Sequence, residues 1–395
     1  MAETYRVLLY SHDSQGLGHV RRNLAIAHNL ARRLPGAVDA DVAGLLVTGL
    51  APASRFPLPE GFDWVTIPGV SKGRDGYQPR NLSGATGDLI KLRSRLLQAA
   101  LLGFKPDLVI IDRHIYGVWS ELREPLMWLR EHHPSVRVVL GLREVLDEPH
   151  VAAAEWERLG DPDRLRDLVD EVWVYGDPAV HDPIATGEAP PALADRIRFT
   201  GYLAHDRRVS DHGEPIEPKP FVLTTAGGGS DGHELLSAAV AMRVPDGYEN
   251  IIVTGPQLDD ASFEAIASQA APGTQVHRSW PGLGSQIAEA AAVISMGGYN
   301  TVCEILATDT PALIVPRETP RLEQLIRAEA LCDARALDVM RTPQVTAETL
   351  GDWVADAVTR HVDRSHIARD GLAATADFAA DLLNDANLAD QEVVA

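Results

Sequence analysis

Short apolar runs of strand length alternate with helix-period segments along this chain, and the alternation starts twice. Residues 5–10 form an apolar strand that leads into a loop over 11–18. A helix follows over 20–34, with Leu24, Ile26, Ala27, Leu30 and Leu34 at helical spacing. Strands at 107–111, 136–140 and 171–175 and a helix at 119–130 continue the first half. The second half restarts with a strand at 221–225, a glycine loop at 227–229 and a helix at 231–242. Strands at 250–254, 275–278, 292–295 and 312–315 alternate with helices at 262–270, 285–290 and 300–307. Strands that are apolar throughout, separated by helices, call for parallel sheets covered on both faces. The fold class is therefore α/β, with two Rossmann-like doubly wound domains.

Between the halves, residues 205–220 hold Asp206, Asp211, Glu214, Pro215, Glu217, Pro218 and Pro220 with few apolar side chains, the composition of a linker. The expected boundaries are residues 1–205, a linker at 206–219, a second domain at 220–370, and 371–395. Within the last segment, 373–389 is an Ala- and Asp-rich amphipathic helix placed to pack across the domain junction. At 395 residues and 45% hydrophobic content the chain is long enough for two ordinary cores. Fifty-six acidic against 36 basic residues give a net charge of −20, which opposes unassisted binding to nucleic acid or an anionic membrane surface. Two cysteines, Cys303 and Cys332, are too few for a disulfide framework, and Met1 leads into a strand with no signal-type apolar region. The expected location is the cytoplasm. No run reaches the roughly 18 apolar residues of a spanning helix, so integral membrane contact is not expected. Nor is a metal centre: Asp161-Pro162-Asp163 has carboxylate spacing but reads as a polar turn.

The sequence SMGGYNTVCEIL over 295–306 is a strand end, a glycine pair and a helix start. Gly297 and Gly298 let the backbone approach a ligand, and the free N–H groups of the helix start attract phosphate. Glu304 then stands where a carboxylate meets two ribose hydroxyls. Thr301 and Glu304 also have capping-box spacing, which needs no ligand, and both readings remain open.

Four motifs in order resemble the peptidoglycan N-acetylglucosaminyltransferase family, whose members are GT-B glycosyltransferases of the family 28 type. They are Gly16-Leu17-Gly18-His19, Gly228-Gly229-Ser230-Asp231-Gly232, Gly297-Gly298-Tyr299-Asn300-Thr301-Val302-Cys303-Glu304, and Arg321-Leu322-Glu323-Gln324 after the strand 311–316. The resemblance implies two lobes facing across a cleft, an acceptor-side N-terminal lobe, and a nucleotide-sugar donor held mainly by the C-terminal lobe. The donor is expected to be a uridine diphosphate sugar, used as co-substrate with no separate cofactor. By motif match, Glu304 binds the ribose, Gly229, Ser230, Asn300 and Thr301 contact the diphosphate, and Gly18, Gly228, Gly297 and Gly298 belong to the same nucleotide-sugar site. Glu323 and Gln324 meet the sugar hydroxyls. His19 is the candidate general base that deprotonates a hydroxyl acceptor, with His12 and Asp13 as neighbours able to take the role. Inversion by direct displacement, without a metal, is the expected chemistry.

The chain departs from that family at Arg21 and Arg22, where an apolar residue and a proline are usual, and at Arg317 and Arg321 around the sugar turn. The arginines after His19 read either as solvated or as contacts for an anionic acceptor. Arg317 and Arg321 are placed either to assist the diphosphate or to pair with Glu318 and Glu323. Asp112-Arg113-His114 and Arg143-Glu144 follow predicted strands at the carboxyl ends where open α/β sheets bind ligands. Arg22, Asp112 and Arg143 are thus the expected acceptor contacts. A dehydrogenase is disfavoured, because Gly16-x-Gly18 lacks the third glycine of the dinucleotide fingerprint. A nucleotide-sugar 2-epimerase and a non-catalytic nucleotide-sugar-binding protein are the surviving alternatives.

Overall fold

The computed structural model describes residues 4–12, 17–50, 56–73, 76–207, 219–229, 231–280 and 282–394. The N-terminal lobe contains β1 (Thr4–Tyr10), α1 (Gly18–Val38), β2 (Asp41–Thr48), β3 (Phe62–Thr66), β4 (Val70–Gly73) and β5 (Gly76–Pro79). It continues with α2 (Thr86–Phe104), β6 (Leu108–Asp112), α3 (Arg123–His132), β7 (Arg137–Arg143), α4 (Pro149–Leu159), α5 (Pro162–Leu168), β8 (Glu171–Tyr175) and β9 (Ile197–Phe199). The C-terminal lobe contains β10 (Phe221–Thr225), α6 (His233–Ala241), β11 (Glu249–Val253), α7 (Asp260–Ala267), β12 (Thr274–His277), α8 (Leu283–Glu289) and β13 (Ala292–Ser295). Then come α9 (Tyr299–Leu306), β14 (Ala312–Ile314), α10 (Glu323–Asp333), β15 (Asp338–Val339), α11 (Ala347–Ala357) and α12 (Gly371–Val394).

Seven strands pair in the order β3-β2-β1-β6-β7-β8-β9 and six in the order β12-β11-β10-β13-β14-β15, parallel throughout. Each order reverses once, at β1/β6 in one sheet and β10/β13 in the other. That reversal opens a crevice beyond the carboxyl ends of the two central strands, where such sheets take ligands. Central strands such as β6, with all five residues buried, are apolar because helices cover both faces.

Local differences from the sequence reading have physical causes. The helix expected over 119–130 is a short 3-10 turn at Val118–Ser120 followed by α3, because Trp119 and Ser120 take positive φ values of 53° and 62°. Asp161 is the N-cap of α5, accepting a hydrogen bond from the Asp163 amide, so the carboxylate pair is a helix start. Residues 41–104 add β2, β3, the β4–β5 hairpin and α2, which the apolar alternation does not resolve. The final helix α12 lies against α1, so the end of the chain returns to the N-terminal lobe, and one hydrophobic cluster runs from both helices into α9 and α10.

The lobes meet through buried polar groups. Glu144, at the end of β7, and Arg327, in α10, have fully buried side chains and pair at 2.6 Å. Arg327 also donates to the Gly297 carbonyl at 3.3 Å. The stacked rings of Tyr202 and Tyr299 pack beside them, and Tyr299 donates its hydroxyl hydrogen bond to the Tyr175 carbonyl at 2.8 Å. Removing one partner of such a pair leaves an uncompensated charge away from water. Arg327→Leu should therefore lower unfolding free energy by about 3–5 kcal/mol, and a Glu144→Leu/Arg327→Leu double variant should recover most of it, as read by denaturant titration.

Candidate functional site

The sheet reversal of the C-terminal lobe carries two glycine corners. Gly229, after β10, has φ +93° and a Cβ there would stand 2.4 Å from the Thr254 carbonyl oxygen; Gly297, after β13, has φ +77° and would meet Ile314 at 2.7 Å. Neither position tolerates a side chain, which is why glycine stands at both corners. Gly298 is the N-cap of α9 and makes no side-chain cap. Ser230, Gly16 and Asp13 lie outside the described residues.

The capping-box reading of Thr301 and Glu304 is overturned: both lie inside α9, and Glu304 faces the other lobe. Its Oε1 accepts from Arg21 at 2.6 Å and stands 3.7 Å from Arg207. Its Oε2 is buried and accepts nothing from the described residues. A buried acceptor without a donor costs about 1–3 kcal/mol, so this oxygen is a natural seat for a ligand hydroxyl. Asn300 bridges the cleft, donating to the Gly18 carbonyl at 2.9 Å and accepting from Arg207 at 2.8 Å.

Across the cleft, His19 sits in the first turn of α1 with its Nδ1 2.5 Å from Asp112 Oδ2. Arg22, one turn on, places Nη2 2.5 Å from the other Asp112 oxygen and 3.0 Å from His19 Nδ1. Asp112 is fully buried. Burial alone would raise its pKa, but Arg22 and His19 more than offset this and hold it well below the usual carboxylate range. Nδ1 faces both a carboxylate, which only accepts, and the Arg22 guanidinium, which only donates; the shorter contact is to Asp112, so Nδ1 carries the proton, Arg22 is spent on Asp112, and Nε2 presents its lone pair with no partner among the described residues. Burial lowers the His19 pKa below its ordinary value, and Asp112 counters only part of that. His19 is thus a neutral imidazole of fixed tautomer, the state a general base requires.

Around it stand groups of a second kind. The His12 ring lies 5.7 Å from His19 and 4.5 Å from His114, and its Nε2 is 3.4 Å from the Tyr77 hydroxyl. Tyr77, from the β4–β5 hairpin, meets Trp119 edge to face at 5.6 Å. Burial, reinforced by His19, lowers the His12 pKa to about 3; burial, reinforced by Arg113, keeps His114 well below its ordinary value.

Three expected acceptor contacts have different partners. Arg22 and Asp112 are buried against one another behind His19, so they orient the imidazole and are closed to an acceptor. Arg22 is not a solvated charge, because a buried guanidinium needs a carboxylate. Arg143 crosses the cleft to Glu323. That contact, with Arg327 behind it, holds the Glu323 carboxyl down at about 2 although burial opposes it. Gln324 accepts from the Arg317 amide at 3.0 Å. Arg317 itself reaches Asp231 at 2.8 Å and stands 3.9 Å from Glu323, while Arg321 pairs with Glu155 at 2.6 Å and Asp147 at 3.3 Å. Glu318 pairs with Arg341 instead of with either. The turn carrying Glu323 and Gln324 is therefore clamped by the opposite lobe. Sequence reasoning missed Tyr77, Trp119, Arg207, Glu155 and Arg327, which belong to no motif.

Two parallel-sheet lobes, glycine corners on one side of a cleft and a histidine–carboxylate pair on the other, define the GT-B class. Residues 223–381, most of the C-terminal lobe and the first part of α12, match the glycosyltransferase family 28 C-terminal domain. A UDP-N-acetylglucosamine–N-acetylmuramyl-(pentapeptide) pyrophosphoryl-undecaprenol N-acetylglucosamine transferase of Agrobacterium fabrum is 25% identical over 236 residues, 52% of this chain and 62% of that protein. Less than two thirds of that relative's length is thus matched. Among solved structures, the calicheamicin glycosyltransferase superposes with a TM-score of 0.60 at 18% identity, over 97% of this chain and 98% of that one. A Listeria monocytogenes protein assigned as a UDP-N-acetylglucosamine 2-epimerase superposes with a TM-score of 0.61 at 11% identity, over 96% of each chain. No helix among the described residues is long and apolar enough to cross a membrane.

The three site histidines, His12, His19 and His114, all have lowered pKa values and set an acid limit on folding. Above about 6.5 they are neutral in both states; below it the unfolded chain takes up protons that the folded chain refuses, so stability falls with pH. Unfolding titrations should show stability declining from pH 6.5 to 4.5, and His12→Phe should make that slope shallower by about one proton.

Proposed function

We propose that this chain is a glycosyltransferase that moves a hexose-type sugar from a nucleotide-diphosphate sugar, a uridine diphosphate sugar in the best-supported case, to a hydroxyl acceptor. The observation that carries the reading is the placing of His19, oriented by Asp112, directly across a cleft from Glu304 and the start of α9. The uridine base is supported by the name of the Agrobacterium fabrum relative, and the donor-lobe chemistry by the family 28 match. That relative's acceptor does not transfer with it: the half-buried rings of Tyr77 and Trp119 are what this chain offers an acceptor, and they fit a ring or other flat face.

In this mechanism the ribose hydroxyls donate to Glu304, and the diphosphate lies against the amides of Gly229 and the start of α9. The acceptor oxygen attacks the anomeric carbon as its proton passes to His19 Nε2. The carbon–oxygen bond to the diphosphate breaks, and its electron pair stays with the departing nucleotide. Attack opposite to the leaving group inverts the anomeric centre. Helix-start amides and guanidinium groups supply the stabilisation of the leaving charge, so the proposed chemistry needs no metal and no separate cofactor.

Melting temperature measured with uridine, thymidine, guanosine and adenosine diphosphates tests the donor class, because a ligand bound only by the folded state raises it with ln(1 + [L]/Kd). The expected outcome is a selective rise with uridine diphosphate; no rise with any of the four would sink the reading. His19→Ala should lower turnover about 10²–10⁴-fold at unchanged donor affinity, and the wild-type rate should fall on acidification along a limb below pH 6.5. Conversion of the donor sugar with no acceptor present would instead favour the epimerase alternative.

A further inference from the structure

Arg21 is the second residue after His19, and unlike Arg22 it turns away from its own lobe. Its Nη2 meets Glu304 Oε1 at 2.6 Å across the cleft, with its side chain still 39% exposed where that of Glu304 is 7% exposed. Arg207 stands near the same oxygen and holds Asn300, whose amide in turn holds the Gly18 carbonyl. The starts of α1 and α9 are thus joined by one guanidinium, Arg21, and one amide, Asn300, while Arg207 braces the α9 side of the junction. Within this junction Glu304 Oε2 is buried with no donor among the described residues. The carboxylate assigned to the ribose therefore has one oxygen paired with Arg21 and one that no described residue satisfies.

We propose that Arg21 is a donor-binding residue that moves from Glu304 to the diphosphate when the nucleotide enters, and that it holds the diphosphate as the leaving group. The proposal rests on the donor reading above. Reach supports it: Glu304 is the sixth residue of α9, and with a rise of about 1.5 Å per residue its carboxylate lies within two turns of the helix start. An arginine already at Glu304 reaches those N–H groups by rotation of its own stem. Freedom to move supports it as well, since Arg22 is buried on Asp112 whereas Arg21 is partly in solvent. Charge gives the reason for the move. Ribose hydroxyls satisfy Glu304 as neutral donors, so the guanidinium they displace seeks an anion, and the diphosphate is the adjacent one. In the chemical step the diphosphate oxygen gains the electron pair of the broken bond, so its negative charge grows where a guanidinium fork binds two phosphate oxygens at once. Because Arg21 belongs to the N-terminal lobe and α9 to the C-terminal lobe, this contact also closes the donor between them.

The rival account is a plain latch, in which Arg21 only holds the lobes together through Glu304 and the ribose must displace it. The two accounts differ in sign. Calorimetric titration of the full chain, as wild type, Arg21→Ala and Arg21→Lys, with uridine and with uridine diphosphate separates them. The expected result is that Arg21→Ala weakens uridine diphosphate about tenfold or more, leaves uridine unchanged or tighter, and is partly rescued in Arg21→Lys. A gain in affinity by the same factor for both ligands would establish the latch and overturn the proposal, as would an unchanged affinity for the diphosphate. A variant that loses its fold loses uridine as well, and the proposal then stands or falls on whether Arg21→Lys weakens the diphosphate selectively. Wild-type protein that binds neither ligand would overturn the donor reading itself, and this inference with it.

Discussion

Glu144 and Arg327 come from opposite lobes, and both side chains are fully buried. Separating them would leave two uncompensated charges away from water, so the junction behaves as a fixed pivot. Burial opposes the charge on Arg327, yet Glu144 raises its pKa above the ordinary value, so the pair remains ionic. The ring of Tyr299 carries this pivot toward the chemistry: the Arg327 guanidinium lies 5.6 Å from its centroid and the Arg22 guanidinium 5.5 Å. Arg22 holds Asp112, and Asp112 holds His19. A continuous chain of buried polar and aromatic contacts therefore joins the hinge to the imidazole. The orientation of His19 is a property of the lobe junction as much as of its own helix.

The same junction explains how a chain with a net charge of −20 presents an arginine-lined cleft. Arg21, Arg143, Arg321 and Arg327 each cross from one lobe to a carboxylate of the other. Each pair is local and compensated, so the cleft is not a broad positive field. Pairing at Glu323 and Arg321 fixes the turn that precedes α10 against the N-terminal lobe before any sugar arrives. A site held this way does not have to order its side chains when the ligand binds.

Much of the frame was legible along the chain. Apolar strands alternating with helical segments identified two parallel sheets, since a strand buried on both faces cannot alternate in polarity. Gly229 and Gly297 were legible as corners because each glycine run follows an apolar strand and precedes a helix, and the structure adds the positive φ and close neighbours that exclude other residues. His19 was legible because it opens a helix after a glycine loop. Its partner was not: Asp112 lies 93 residues away and read as an acceptor contact, and only the pairing of β1 with β6 brings the two together. Arg22 read as a contact for the acceptor or for solvent, and burial on Asp112 gave it a different task. The spacing of Thr301 and Glu304 matched a cap, but the N-cap at Gly298 left both inside the helix.

By itself, then, the order of residues determined what is local: strand and helix period, glycine corners, the type of each reactive side chain, and the class of fold these imply. Those properties follow from short-range sterics and backbone hydrogen bonding, which act over a few residues. Tertiary structure alone decided which charges face each other. Arg21 with Glu304, Arg143 with Glu323 and Glu144 with Arg327 are separated by 180 or more residues, and their pairing depends on how two finished lobes are set edge to edge. Electrostatic partners across a cleft leave no periodicity in a sequence, because the attraction is fixed by distance in space and by exclusion of water.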